Sequence, residues 1–287
     1  MKLIDCIDTQ AARLAQAGLF FGHGTTNAFD EAMWLALWRL GLPLDALDEH
    51  EQRELNVAEQ AAIAALIDQR ISSRKPAAYL TGEAWLQGVP FTIDERAIVP
   101  RSFIAELIAE GGFDAWLSED TRQVLDLCTG NGSLAVLAAM AWPEVQVTGA
   151  DLSPDALAVA RINVERHGLQ ERITLLESDG LANCPGPWDL VLCNPPYVNA
   201  QSMAALPAEY RAEPALALAG GTDGMDFIRG LLRDLPAHLN EGGVLVLEIG
   251  HERVHFEAAF PRLSPVWLET SAGPDMVLLL TLEQLIP

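Results

Sequence analysis

The sequence has little positive charge. Lys and Arg together number 18 against 40 Asp and Glu, so the formal net charge is −22. A field of this sign repels the phosphate backbone of nucleic acids and attracts basic proteins. The composition therefore disfavours a nucleic-acid substrate, although acidity that serves solubility alone accounts for the charge equally well.

Long hydrophobic runs and paired cysteines are also missing. The longest apolar run, Leu134–Trp142, is far shorter than the roughly 18 residues of a membrane helix, so we expect no membrane attachment. The first residues lack the basic start and apolar middle of a signal peptide, which predicts a cytoplasmic protein. No C-x-x-C spacing occurs, so we expect neither a metal site nor a disulfide framework. The four cysteines are Cys6, Cys128, Cys184 and Cys193.

The first hundred residues have mainly helical patterns. Helices are predicted over residues 26–41, with Asn27 as the amino-terminal cap, and over residues 57–72. Residues 83–100 favour short strands with a turn at Gly88. We expect three tryptophans of this region to be core residues, namely Trp34, Trp38 and Trp85.

From about Gln123 the pattern changes to strands that alternate with helices. Strands are predicted at Val124–Cys128, Val145–Asp151, Ile173–Glu177, Asp189–Cys193, Gly243–Ile249, Val266–Thr270 and Met276–Thr281. Helices are predicted at Ser133–Ala141, Pro154–His167 and Asp226–Leu239. This alternation predicts an α/β fold with a mostly parallel sheet wrapped by helices. Ligands on such sheets bind beyond the carboxyl ends of the strands.

Carboxylates follow the first strands of the predicted sheet. The first strand ends in Asp126-Leu-Cys-Thr-Gly-Asn-Gly132, whose glycines allow a tight turn and the close approach of a ligand. Asp151 ends the second strand, where it can accept both hydroxyls of a ribose, in a nicotinamide cofactor as in S-adenosylmethionine. Asp179 follows the third strand and can accept from an adenine amino group. Together they predict a nucleoside pocket.

The fourth of these strands ends in Cys193-Asn-Pro-Pro-Tyr197. Asn194 offers a side-chain carbonyl, and Pro195 offers a backbone carbonyl whose direction the ring of Pro196 helps to fix. Two acceptors of this kind can hold both hydrogens of one planar –NH₂ group, on which the Tyr197 ring can stack. The stretch therefore predicts transfer of an electrophilic methyl to an amide or adenine amino nitrogen.

Other functions remain open on these residues. A nicotinamide-dependent oxidoreductase would use the glycine loop and Asp151 but would leave Asn194–Tyr197 without a role. An adenine-amino methyltransferase of nucleic acids would use the same tetrapeptide. It would also need a basic surface for the phosphate backbone, which this sequence lacks. A binding protein without activity, or a proline-rich docking motif, does not explain a complete set of acceptors after a buried strand.

With these residues the chain resembles the class I S-adenosylmethionine-dependent methyltransferases, and within them the protein-glutamine N(5)-methyltransferases. The pattern of this family extends over nearly the whole chain. Besides the strand ends already described, its blocks are Lys75-Pro-Ala-Ala-Tyr-Leu-Thr-Gly82, Ile98-Val-Pro-Arg-Ser102, Glu106, Glu213-Pro-Ala-Leu-Ala-Leu-Ala-Gly-Gly-Thr-Asp-Gly224 and Glu248-Ile-Gly250.

Within this family, two features resemble the branch that methylates large-subunit ribosomal protein L-three rather than the related release-factor branch. They are Ala17-Gly-Leu-Phe-Phe-Gly-His-Gly-Thr-Thr-Asn27 and Cys128, where the release-factor branch usually has glycine. Gly180 occupies the position at which the release-factor branch commonly has an aromatic residue that packs on adenine. We expect Leu181 to make the adenine contact instead. His23 is left outside the predicted site.

The resemblance implies the organisation of the chain and its partners. It implies a helical substrate-recognition domain (1–80), a β-hairpin linker (81–105) and a methyltransferase domain with a Rossmann-like, seven-stranded sheet (106–287). The substrate would be L-three, free or in early assembly, and S-adenosylhomocysteine the cofactor product. The implied catalytic residues are Asn194, Pro195, Pro196 and Tyr197. The implied cofactor-binding residues are Asp126, Cys128, Thr129, Gly130, Asn131, Gly132, Asp151, Leu152, Asp179, Gly180 and Asn194.

Overall fold

The computed structural model describes residues 1–286, and its first part is helical as predicted. The helices are α1 (Leu3–Gln16), α2 (Ala28–Leu40), α3 (Leu47–His50), α4 (Val57–Ser73) and α5 (Ala77–Thr81). The Asn27 side chain accepts from the backbone N–H of Asp30, so the predicted cap of α2 is confirmed. Sequence patterns located α2 and α4 but did not indicate the bounds of α1.

A short antiparallel hairpin follows the helices. It consists of β1 (Glu83–Leu86) and β2 (Val89–Thr92), which are joined at Gln87 and Gly88. Gly88 has a φ of 73°, a left-handed conformation that glycine adopts without strain, and the predicted turn is confirmed.

The second part of the chain forms a seven-stranded sheet in the order β5-β4-β3-β6-β7-β9-β8. The strands are β3 (Gln123–Leu127), β4 (Gln146–Asp151), β5 (Ile173–Glu177), β6 (Trp188–Cys193), β7 (Leu239–Glu248), β8 (Val266–Thr270) and β9 (Gly273–Thr281). The pairs from β5 to β7 are parallel, and β9 runs antiparallel to both of its neighbours. The predicted mostly parallel sheet is confirmed.

Helices cover both faces of this sheet. They are α6 (Phe103–Glu110), α7 (Ser133–Ala141), α8 (Pro154–Arg166), α9 (Ala200–Ala205), α10 (Asp226–Asp234), α11 (Arg253–Ala259) and α12 (Leu282–Leu285). Because side chains alternate along a strand, Val124 and Leu190 join the core beneath α6 and α7, whereas Leu125 and Val191 join the core beneath α10.

The helix predicted at Asp226–Leu239 is shorter in the structure. Helix α10 ends at Asp234, a 3₁₀ turn occupies Leu235–His238, and β7 begins at Leu239. Pro236 has no backbone N–H for a helical hydrogen bond, which accounts for the early end.

The helical part packs directly against the sheet-forming part. Ala156 and Val159 of α8 belong to the same apolar core as the buried residues of α1, α2 and α4. Helix α6 crosses the predicted boundary at residue 105 and packs within the core of the sheet. The domain boundaries stay predictions. Within residues 1–286, no helix has the length and apolar character needed to cross a bilayer.

Asn163 of α8 links three segments of the chain. Its buried side chain accepts from the Thr92 N–H (2.7 Å) and donates to the carbonyl oxygens of Thr92 and Asn131 (2.9 Å each). It therefore connects the hairpin to the glycine loop that follows β3.

We predict that Asn163→Ala lowers the free energy of unfolding by about 2–4 kcal/mol, because each buried polar group left without a partner costs about 1–3 kcal/mol. Urea denaturation measures this loss. The control is Asn183→Ala, which removes an exposed side chain that donates to the Glu177 carbonyl. Equal losses in the two variants would contradict a linking role for Asn163.

Candidate active site

The predicted site lies at the topological switch point of the sheet, where successive strands stop adding to one side of β3 and begin to add to the other. Strand β3 is central, β4 and β5 extend the sheet on one side, and β6 and β7 extend it on the other. A cavity of about 160 Å³ lies beyond the carboxyl ends of these strands. Among its lining residues are seven that were predicted to bind the cofactor, namely Cys128, Gly130, Asp151, Leu152, Asp179, Gly180 and Asn194.

The glycine loop turns tightly between β3 and α7. Cys128, Gly130 and Gly132 have φ values of 62°, 55° and 81°. A Cβ at Gly132 would lie 3.1 Å from that of Ala160 on α8, whereas a Cβ at Gly130 would have no neighbour within 4 Å. Gly132 thus allows close packing, and Gly130 leaves open space at the cavity wall, which fits a ligand that approaches the backbone.

Asp151 at the end of β4 is a half-buried carboxylate that can accept further hydrogen bonds. Its Oδ2 accepts from the Gly130 N–H and its Oδ1 from the Ser153 N–H, each at 2.9 Å. Burial raises the pKa of Asp151, and these two hydrogen bonds lower it less than burial raises it. Two carboxylate oxygens offer about four lone-pair sites, so ribose hydroxyls can also bind.

Asp126 does not line the cavity. It is completely buried, and its Oδ2 accepts from the Thr129 hydroxyl (2.5 Å) and the Ala135 N–H (2.9 Å). Burial raises the pKa of this carboxyl to about 7. Its contacts hold the glycine loop onto α7, and its role as a direct cofactor ligand stays a prediction.

A second, smaller cavity adjoins the first. It has a volume of about 30 Å³ and is lined by Thr129 and Asn131, two further residues that were predicted to bind the cofactor. Four residues line both cavities: Ile98, Cys128, Gly130 and Asn194. Asn194, which was predicted to accept from the substrate –NH₂ group, therefore borders both spaces. Gly132 is buried and lines neither cavity.

The two predicted acceptors are free to bind a ligand. Within residues 1–286, the Asn194 side chain takes part in no hydrogen bond, and the Pro195 carbonyl oxygen accepts none. Asn194 and Pro196 line the main cavity, whereas Pro195 is buried. An unpaired side-chain carbonyl beside an unpaired backbone carbonyl suits a ligand that donates two hydrogens.

Tyr197 lines neither cavity and is fixed on two sides. Its hydroxyl donates to Glu248 Oε1 (3.2 Å), and a Cβ at Gly250 would lie 2.6 Å from its ring. The other Glu248 oxygen accepts from the Ser102 hydroxyl (2.6 Å) and the Phe103 N–H (2.9 Å). The family block Glu248-Ile-Gly250 thus sets the position of the tyrosine ring.

Glu213 joins three distant parts of the chain, a connection that sequence reasoning missed. This buried carboxylate accepts from the Val99 N–H (2.9 Å) and from both terminal nitrogens of Arg101 (2.6 and 2.8 Å). The His23 ring lies 3.4 Å away. Burial alone would raise the pKa of Glu213, but the nearby His23 ring and the Arg101 guanidinium lower it to about 2.

A second buried ion network holds the segment between β6 and α10. Glu209 is fully buried and lies 2.8 Å from Arg74 and 3.6 Å from Arg70, which in turn donates to Glu31 (2.8 Å). Residues 199–219 therefore rest on the amino-terminal helices. Since Pro214 and Leu216 of this segment line the main cavity, the helical part determines one wall of the site.

Phe227 supplies an aromatic wall beside Gly180. Its ring lies 4.0 Å from the position that a Gly180 Cβ would occupy, and both residues line the main cavity. Leu181, which was expected to fill this role, is buried in the core beneath α10 and does not line the cavity, so that prediction is wrong. Phe227 is 47 residues from Gly180 in the chain, and only its place in the fold reveals it.

The chain matches known methyltransferases over both of its parts. Residues 113–210 match the family model described as the methyltransferase small domain, and residues 9–82 match the PrmC N-terminal domain. The crystal structure of the hMettl16 catalytic domain in complex with MAT2A 3′UTR hairpin 6 has a TM-score of 0.53 and 14% identity. That match covers 79% of this chain and 86% of the hMettl16 chain, and it supports the fold alone.

Curated relatives identify the family more narrowly. The Ribosomal protein uL3 glutamine methyltransferase of Bordetella pertussis is 53% identical over 99% of this chain and 96% of its own. The protein of the same name in Burkholderia pseudomallei is 49% identical, over 98% and 94%.

The fold and the strand-end site define a class I methyltransferase. At this identity and coverage, the chain belongs to the ribosomal protein uL3 glutamine methyltransferase family. The family and fold class predicted from the sequence are confirmed, and membership supports S-adenosylmethionine as the cofactor.

We predict that Glu213→Gln lowers stability at neutral pH but not in acid. The folded-state pKa of about 2 lies below the ordinary value of 4.5, so ionised Glu213 stabilises the fold above pH 4.5. That stabilisation is lost as the pH falls through the folded-state pKa. Urea midpoints of parent and variant should differ most at pH 6 and converge towards pH 2. A difference that does not change with pH would contradict the role of the Glu213 charge.

We predict that Phe227→Ala weakens S-adenosylhomocysteine binding by about 5- to 160-fold, since stacking of a base on an aromatic ring contributes about 1–3 kcal/mol. Calorimetric titration measures the affinity. Phe227→Tyr keeps the ring and should bind as the parent does. An unchanged affinity in Phe227→Ala would show that the ring does not contact adenine.

Proposed function

We propose that this protein transfers a methyl group from S-adenosylmethionine to the side-chain amide nitrogen of a glutamine in ribosomal protein uL3. The observation that carries this proposal is a pair of acceptors without protein partners within residues 1–286, namely Asn194 Oδ1 at the cavity that Asp151 borders and the carbonyl oxygen of the next residue, Pro195. Relatives that share about half of the sequence are named for the same reaction.

The two acceptors address the weakness of an amide nitrogen as a nucleophile. Its lone pair is delocalised into the carbonyl group, and S-adenosylmethionine supplies the electrophilic methyl. Asn194 and Pro195 accept the two amide hydrogens and orient the nitrogen. These hydrogen bonds strengthen as positive charge develops on the nitrogen, so they stabilise the transition state more than the bound substrate. No strongly basic side chain is needed, because water can take the proton afterwards.

Fixed placement of the substrate supplies a further part of the rate enhancement. Tyr197 is held by Glu248 and Gly250, so its ring can form a rigid stacking face for the planar amide. Rings at Pro195 and Pro196 restrict the backbone that carries both acceptors. Such preorganisation reduces the entropic cost of aligning the nitrogen with the methyl group.

We further propose that the enzyme acts in the cytoplasm on free uL3 or on an early assembly intermediate, and not on nucleic acid. Ribosomal proteins are rich in Lys and Arg, and a protein with a net charge of −22 attracts them before RNA covers those side chains. Mature large subunits should therefore be methylated much more slowly than isolated uL3. Equal rates would contradict this part of the proposal.

The test of the reaction is transfer of labelled methyl to isolated uL3, to a release factor and to DNA, followed by mass spectrometry of the labelled residue. We expect label on a glutamine of uL3. Label on the release factor alone would keep the chemistry and change the substrate. Label on adenine would overturn the argument from charge.

We predict that Asn194→Ala lowers kcat by about 30- to 900-fold, equivalent to about 2–4 kcal/mol, the scale of removing one aimed polar group from a site. The affinity for S-adenosylhomocysteine should change far less. Rapid-quench assays and calorimetry separate the two effects, with Asn183→Ala as the control. Equal losses in rate and in cofactor affinity would mean that Asn194 mainly shapes the cofactor cavity.

A further inference from the structure

A large groove lies between the amino-terminal helices and the hairpin. It has a volume of about 880 Å³, and we call it the tryptophan groove after Trp34 and Trp38 of α2 and Trp85 of β1, all of which line it. Trp34 is buried and Trp38 half-buried, but Trp85 is 44% exposed, so the expectation that it is a core residue is wrong. Trp85 therefore adds exposed apolar surface to the groove, and contiguous apolar surface of this kind is typical of a binding site.

The charge of the groove is negative. Its lining includes Asp30, Asp45 and Glu83 but neither Lys nor Arg. Glu83 is neutralised by Arg166 at 2.6 Å. Within residues 1–286, Asp30 and Asp45 form no ion pair, and Asp45 is exposed. Acidic side chains next to indole rings bind Lys and Arg well, because the rings attract the cation through their faces and the carboxylates through charge.

The groove adjoins the active site. Pro100 lines the groove and also the small cavity that Asn194 lines, so the two spaces share a wall at this residue. The neighbouring residue, Arg101, is held by Glu213. A polypeptide that lies in the groove can therefore extend past Pro100 towards Asn194.

We propose that the tryptophan groove binds a Lys- or Arg-bearing segment of uL3 that adjoins the methylated glutamine. This inference rests on the proposed function. The charge of the groove complements a ribosomal protein and opposes RNA. Its indole rings supply the aromatic anchors that dominate the energy of protein interfaces. The groove thus selects the protein substrate, whereas Asn194 and Pro195 recognise only the amide that every glutamine carries.

Steady-state kinetics with full-length uL3 test the proposal. Trp85→Ala and Asp45→Lys should each raise KM for uL3 by about tenfold or more, the effect of losing an interface anchor. They should leave the affinity for S-adenosylhomocysteine and the kcat at saturating uL3 unchanged. The salt dependence of KM should be weaker in Asp45→Lys. The matched controls are Trp116→Ala and Asp120→Asn, which change an exposed tryptophan and an exposed aspartate outside the groove.

Three results would overturn the inference while the parent still methylates uL3. One is an unchanged KM in both groove variants. Another is an equal change in the two controls. The third is a changed sedimentation coefficient of Trp85→Ala without substrate, which would show that a second copy of the chain covers the groove. A parent enzyme that does not methylate uL3 would instead reject the proposed function itself.

Discussion

The buried carboxylate of Glu213 is the contact on which the arrangement of the site depends. It binds Arg101 through both oxygens, accepts from the Val99 backbone and lies against His23. These partners come from the segment that precedes α6 and from the loop that precedes α2. Removal of Arg101 would leave the buried Glu213 carboxylate without its main partner, and an uncompensated buried charge is among the most costly features of a protein interior. The segment between β6 and α10, the residues before α6 and the loop before α2 are therefore fixed together.

Two further buried glutamates fix other segments around the site. Glu209 fixes the segment between β6 and α10 to Arg70 and Arg74, and Glu248 fixes Tyr197 and the start of α6. Within the described residues 1–286, the acceptors that we assign to catalysis have no protein partners of their own. Rigidity thus comes from buried ion pairs around the site, while Asn194 and Pro195 stay available to the substrate. Such a division suits a reaction that depends on placing one nitrogen against one methyl group.

The sequence predicted the sheet and most strand ends because these depend on local patterns. Alternating apolar runs and Gly or Pro boundaries located β3 to β9, and carboxylates after the strands indicated the nucleoside cavity. What the sequence could not reveal are contacts between residues far apart in the chain. Arg101 and Glu213 are separated by 112 positions, and although both lie in the family blocks, nothing local pairs them.

The direction of individual side chains was also beyond the sequence. Asp126 was grouped with Asp151 because both end strands, yet its carboxylate turns into the protein to hold the glycine loop. Trp85 was expected in the core because tryptophan is large and apolar, but its position on a two-stranded hairpin leaves it exposed. Phe227 was missed because the turn before α10, not a sequence motif, brings it to Gly180.

The most direct test of the account is a crystal structure of the protein with S-adenosylhomocysteine and a glutamine peptide of uL3. The account predicts that the amide nitrogen lies about 3 Å from both Asn194 Oδ1 and the Pro195 carbonyl oxygen, at ordinary hydrogen-bond distance, and faces the sulfur atom. A glutamine amide bound elsewhere, or Asn194 engaged only with the cofactor, would contradict it.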